Sequence, residues 1–255
     1  MRKFALLALA VVAYLCPAAM AQVNTERLRA DVRGTSASVE GSVAIKTGNS
    51  DLVDTAAALR IDHRDSLNYV FLAGRLSYGT NNNTTYSNSS FAHLRYNRTL
   101  TEGLTAEAFG QLERDGFTLL QLRALVGAGL RARWASGEAF SIVQGSAIMY
   151  ERERLDASKV TVHPARVSHA RWSNYVSFSI AMTPTATLSA TTYVQPAMED
   201  FGDIRIINDS VLDVKLGDRF SLTTALTVRY DSRPPDGIES TDVAIRNGLR
   251  FRISS

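Results

Sequence analysis

From Gly34 onward, apolar and polar positions alternate with a period of two, in runs of roughly ten to fifteen residues bounded by turn-forming clusters. Alternation of this kind places successive side chains on opposite faces of a strand. The clearest run is Phe117–Trp134. Leu120, Leu122, Ala124, Val126, Ala128, Leu130 and Ala132 share one face, while Gln121, Arg123, Gly127, Gly129, Arg131 and Arg133 share the other. Before it come Thr35–Lys46, Leu52–Asp62, Leu67–Gly79, Ser90–Arg98 and Leu104–Arg114. After it come Ala139–Tyr150, Trp172–Met182, Ala186–Gln195, Ile204–Leu216, Phe220–Asp231 and Thr241–Ser254. Alternation is poor in Ala139–Tyr150 and imperfect in Ile204–Leu216, where it is compatible with a bulge. The pattern predicts twelve strands.

The links between these runs alternate in length. Short ones fall near His63–Ser66, Thr99–Gly103, Ala135–Glu138, Thr183–Thr185 and Gly217–Arg219. Longer, more polar ones fall near Thr80–Ser89, Glu151–Arg171, Ala197–Asp203 and Ser232–Ser240. Thr47–Asp51 and Asp115–Gly116 take places in the long class but are short. Short periplasmic turns alternating with longer outer loops mark a membrane barrel and put both termini in the periplasm. A soluble β-sandwich has no reason to sort its loops this way. The two faces agree with that reading, because charge lies on one and small or aliphatic side chains on the other. In lipid every backbone N–H and C=O must be paired within the protein, so a sheet there closes on itself. The expectation is an all-β fold, an antiparallel transmembrane β-barrel of about 12 strands over residues 35–255. Tyr78, Tyr96, Trp134, Trp172 and Tyr230 fall near strand ends, where interfacial aromatic girdles sit.

A mean hydropathy of -0.07 with 21% charged residues would by itself suggest a soluble protein. A membrane barrel has the same average, because lipid-facing and lumen-facing residues cancel. Only the N-terminus carries a long uncharged apolar run. Arg2 and Lys3 precede the apolar stretch Phe4 to Cys16, and Ala19-Met20-Ala21 supplies a small-x-small cleavage site. This predicts a signal peptide over residues 1–21, removed before Gln22, and a short periplasmic segment over 22–34. Tyr14-Leu15 before Cys16 lacks the small residues of a lipid-attachment signal. Cys16 therefore leaves with the leader, and the mature chain has no disulfide or thiol chemistry. The net charge of +3 comes from arginines scattered among carboxylates, which is no nucleic-acid footprint.

Three stretches resemble the family of salt-induced outer membrane proteins. They are Glu40-Gly-Ser-Val-Ala-Ile-Lys-Thr-Gly-Asn-Ser-Asp51, then Phe91-Ala-His-Leu-Arg-Tyr-Asn-Arg98 continuing through Glu107–Glu113 to Gly127–Arg131, and Tyr230–Asp242 with its Arg233-Pro-Pro-Asp-Gly237 turn. The resemblance implies an outer-membrane location and a barrel. It brings no catalytic residues, since the family has no established chemistry. One departure is the C-terminus: such barrels commonly end in an aromatic residue, whereas Phe251 is followed by Arg-Ile-Ser-Ser.

The candidate functional set is the charge on the inward faces. Arg60, Arg75, Arg95, Glu107, Glu113, Arg123, Arg131, Arg133, Arg229, Arg246, Arg250 and Arg252 are expected to line the lumen. Arginines outnumber carboxylates among them, so one outcome is an aqueous pore favouring anions. The other is a salt-bridged, hydrated lumen that does not conduct, because unpaired charge at low dielectric is costly. No enzyme, cofactor or metal site is predicted. His63 is expected in a periplasmic turn, His93 inward, and His163 and His169 in the longest outer loop, with Asp156 nearby. A hydrolytic or metal site at that loop is the weaker alternative, as is calcium binding by Asp236–Asp242. Glu151-Arg-Glu-Arg154 is expected at a solvated loop edge. The expected partners are outer-membrane lipid and small solutes or ions, for a monomer acting as a structural or pore-like envelope protein. Recognition of a surface partner by the loops is the alternative role.

Overall fold

The computed structural model describes residues 34–46, 52–82, 84–137 and 139–254. The leader expected over residues 1–21 lies outside them, as does the 22–34 segment apart from Gly34. Twelve strands follow in order. They are β1 (Gly34–Lys46), β2 (Leu52–Arg64), β3 (Asn68–Asn81), β4 (Thr84–Thr99), β5 (Leu104–Asp115) and β6 (Leu120–Ser136). Then come β7 (Phe140–Leu155), β8 (Arg166–Ala181), β9 (Ala186–Pro196), β10 (Ile204–Lys215), β11 (Phe220–Asp231) and β12 (Thr241–Ser254). Each strand pairs antiparallel with its sequence neighbours, and β1 pairs with β12, so the sheet closes without an edge. The shortest strand has 11 residues and the longest 17, enough to cross a hydrocarbon core that a tilted strand spans in roughly 9–11.

Register fixes which face each residue takes. One inward row runs Phe71, Arg95, Phe109, Gly127, Met149, Arg171 from β3 to β8. The outward row beside it runs Leu72, Leu94, Gly110, Val126, Tyr150. The outward row is exposed apart from its glycine, and the inward row is buried around charged side chains. This inverts a soluble fold and leaves a largely aliphatic outward face, interrupted on β7–β10 by Gln144, Asn174, Thr192 and Asn208, of the kind that meets lipid in membrane barrels. Exposed aromatics bound this face: Tyr96, Trp134, Phe140 and Phe220 at the turn side, Tyr78, Tyr150, Trp172 and Tyr230 towards the other. Phe251 packs against Phe220 with ring centroids 5.0 Å apart and planes tilted by 46°, so the last strand keeps an aromatic contact despite its polar ending.

Several links differ from expectation. β3 and β4 pair up to Asn81–Thr84, leaving only residues 82–83 between them where a long link at Thr80–Ser89 was predicted. Asn82 makes that reversal with φ 47°, a left-handed conformation that asparagine tolerates. β7 runs on to Leu155 and β8 begins at Arg166, so the loop expected at Glu151–Arg171 shrinks to residues 156–165. His169 is consequently on a strand, and so is His63, at the end of β2. The bulge lies elsewhere too. β10 pairs without a register shift on both sides, whereas β6 slips between Leu120 and Leu122 and between Arg133 and Ala135. Among the described residues, long outer links are confined to 156–165, 197–203 and 232–240.

Candidate functional site

Inward side chains from facing strands meet across the lumen at several levels. On the β2–β5 wall, Arg60 pairs with Asp62 at 2.8 Å, donates to Tyr69 Oη at 2.6 Å, and lies 3.9 Å over the Phe71 ring. His93 is stacked among Phe71, Phe91 and Phe109. Arg95 pairs with Glu107 at 3.3 Å, and Tyr175 on β8 donates its hydroxyl to the same Glu107 oxygen at 2.7 Å. Tyr175 reaches that far because its ring lies flat on Gly145. A β-carbon there would stand 2.1 Å from the ring, so only glycine fits. Gly127 makes room for the Phe109 ring in the same way.

Nearer the outer end, a continuous ion-pair network crosses the lumen. Glu113 receives Arg123 at 3.2 Å and Arg229 at 3.5 Å, the latter from β11 on the opposite wall. Arg123 also donates to Glu153 at 2.5 Å. Arg205 on β10 then spans Glu151 at 2.9 Å, Glu153 at 2.7 Å and Asp231 at 2.9 Å. Arg171 closes the chain, with Glu151 at 2.6 Å and Asp203 at 2.9 Å. At the turn side, Arg250 joins Glu40 at 2.9 Å and also pairs with Asp213, while Arg75 lies 3.6 Å from Glu40.

Of the predicted lumen residues, Arg60, Arg95, Glu107, Glu113, Arg131 and Arg250 are buried, and Arg75, Arg123, Arg229 and Arg246 are partly so. Arg246 stands near Arg75 and Asp54. Arg252 is half-buried at the turn-side mouth beside Lys215 and Arg219. Arg133 is a correction: next to the slip at Arg133/Ala135 it sits on the rim, exposed rather than enclosed. The expected arginine excess is also offset, because Asp62, Glu151, Glu153, Asp203, Asp213 and Asp231 supply carboxylates absent from the predicted set. Glu151 and Glu153 were expected in solvent yet are 1% and 3% exposed. Arg171 and Arg205 were missed with them. The signal was present: Ala147, Met149, Glu151 and Glu153 continue one parity of a single strand.

The outer mouth is roofed. Asp236, in the 232–240 link, accepts backbone N–H bonds from Thr161 at 2.6 Å, Val162 at 2.7 Å and His163 at 3.1 Å, all in the 156–165 link. These bonds hold its carboxyl at a pKa of about 2, below the usual carboxylate value. Beneath the joined loops is a cavity of about 90 Å³ lined by Arg123, Glu153, Arg205, Arg229, Asp231 and Ile238 among others. His163 faces this cavity, and His169 on β8 lies 3.8 Å from Glu199. Among the described residues, no three His, Cys, Asp or Glu side chains gather as a metal set.

No curated protein matches the sequence. Among solved structures, the chain is similar to the translocator domain of autotransporter NalP from Neisseria meningitidis. That likeness has a TM-score of 0.51 at 10% identity and covers 90% of this chain and 92% of that one. A bacterial polysaccharide outer membrane secretin is similar at TM-score 0.48 and 10% identity, over 87% of this chain and 99% of that one. A KdgM porin in complex with disordered oligogalacturonate gives the same score and identity over 85% and 98%. The translocator likeness establishes the fold alone, a closed antiparallel barrel of the outer-membrane kind. Over residues 39–252 the sequence matches the family described as "Protein of unknown function, DUF481", and the chain belongs to that family.

Proposed function

We propose that this chain is exported by its N-terminal leader and resides in the outer membrane as a monomeric, porin-like barrel closed at rest by an ion-pair plug. The observation that carries the reading is the cross-lumen network. Arg229 reaches Glu113 from the opposite wall, and Arg205 ties β10 to Glu151 and Glu153 on β7. Charges in such contact are compensated, so the arginines lend the lumen little net anion preference. Lipid is the partner of the outer face, and small ions are the only solutes the plug would admit on rearranging. The test is conductance of the refolded barrel in a planar bilayer. Wild type is expected to be silent while showing heat-modifiable migration on a gel, and Arg205→Ala with Arg229→Ala to give discrete steps. Steady anion-selective steps from wild type would overturn the plug.

A second reading, recognition by the outer loops, is supported by the Asp236 clamp, which joins two loops into one surface. Deleting residues 157–164 would then spare folding and abolish capture of a surface partner; unchanged capture removes that reading.

A further inference from the structure

The lipid-facing surface carries one anomaly. Among the described residues, outward-facing strand positions hold five charged side chains, Arg98, Arg114, Arg152, Arg154 and Arg166, with no lysine and no carboxylate. Arg98 is alone at the turn side. The other four gather at the outer ends of β5, β7 and β8, all exposed, and none has an ion-pair or hydrogen-bond partner among the described residues. Arg154 and Arg166 even stand directly opposite each other in the β7–β8 ladder, where like charges repel. A face selected only to meet hydrocarbon or water has no reason to hold that arrangement.

The rows below them supply the other half of a ligand. The row beneath Arg114, Arg154 and Arg166 is Gly74, Ala92, Leu112, Ala124, Arg152, and beneath that lies Leu72, Leu94, Gly110, Val126, Tyr150. Glycine and alanine in these rows sink a shallow groove walled by Leu72, Leu94, Leu112, Val126 and Tyr150, with Arg152 at its outer end. Exposed Tyr150 and Trp172 mark this level as the membrane interface, so the arginines sit where headgroups do. Arg114 on β5 and Arg166 on β8 are three strand spacings apart, roughly 14 Å. One phosphate cannot serve both ends of that span.

We propose that this face binds a lipid of the outer leaflet whose headgroup carries two separated phosphates and whose several acyl chains lie along the groove. The guanidinium forks take the phosphates bidentately, and the aliphatic rows take the chains. The inference rests on the outer-membrane reading above and extends it from lipid in general to one lipid class.

The test titrates the barrel, folded in phosphatidylcholine bicelles, with a bis-phosphorylated hexa-acyl glucosamine disaccharide. The same lipid without phosphates and inorganic phosphate alone are the comparison probes. An arginine near an anionic surface contributes a factor of about five in affinity, so Arg154→Gln with Arg166→Gln is expected to weaken binding about thirty-fold. Arg98→Gln on the opposite rim is expected to leave it unchanged. Equal binding of the dephosphorylated lipid, full competition by inorganic phosphate, or an unaffected double variant would overturn the proposal. Heat-modifiable migration separates the two levels. A barrel that folds in bicelles without phosphate-dependent binding sinks this inference alone, and a chain that never folds there as a barrel sinks the outer-membrane reading as well.

Discussion

Glu153→Gln removes one charge from the centre of the plug and leaves its shape nearly unchanged. The carboxylate is 3% exposed and accepts from Arg123 at 2.5 Å and Arg205 at 2.7 Å. Both donors reach the same oxygen, Oε1, so the amide oxygen can keep both contacts, and what is lost is the negative charge that compensates the two guanidinium groups. Removing one partner from a buried pair costs about 3–5 kcal/mol, because a charge is left uncompensated. Here Arg123 keeps Glu113 at 3.2 Å, and Arg205 keeps Glu151 and Asp231, both at 2.9 Å. The loss should therefore fall at the lower end, about 3 kcal/mol. Urea unfolding from lipid vesicles, followed by the fluorescence of Trp134 and Trp172, measures it. A second substitution, Arg205→Gln in the Glu153→Gln background, should recover part of the loss, since the two sites share a contact. A cost under about 1 kcal/mol, or strict additivity of the two changes, would refute the network as the element that holds the lumen closed.

Arg229→Met should be far milder than Glu153→Gln in the same unfolding assay. Its one contact to Glu113 is long, at 3.5 Å, and its Nε and Nη2 atoms are buried without partners, so an apolar replacement removes more desolvation than attraction. Gly145→Ala should cost about 1–3 kcal/mol through overpacking against Tyr175, and almost nothing in a Tyr175→Ala background; equal cost in both would refute the ring–glycine contact. Asp236→Ala should speed amide hydrogen exchange at Thr161, Val162 and His163 without altering the barrel ladders. The clamp also has a pH signature. Asp236 has a depressed pKa of about 2 against an ordinary 3.8, so its contribution is complete above the ordinary value and fades as pH falls through about 2. Exchange at those three amides should thus show no carboxylate-linked change from neutral pH down to about 4.

The barrel was legible in the sequence because lipid imposes a local rule. Lipid favours an apolar outward residue whatever its distant neighbours are, so Leu122 to Ala132 declares its face within one strand, whereas Leu120, expected on the same face, lies beyond the β6 slip and is 3% exposed. The lumen follows a different rule. There a charge is admissible when another strand supplies its complement, and that complement is fixed by closure rather than by spacing. Arg229 and Glu113 lie 116 positions apart, and nothing near either residue announces the other. Charge density alone misleads for the same reason. Glu151-Arg-Glu-Arg154 looks like a solvated turn by composition, yet strict parity sends both glutamates into the plug and both arginines out to the membrane face. Composition therefore gave the wrong environment where parity would have given the right one. The same reasoning separates the two kinds of arginine in this chain. Inward ones, such as Arg171 and Arg205, each meet two or more carboxylates, so their role is complete within the fold. Outward ones at Arg152, Arg154 and Arg166 meet none among the described residues, which is why the proposed lipid is assigned to them.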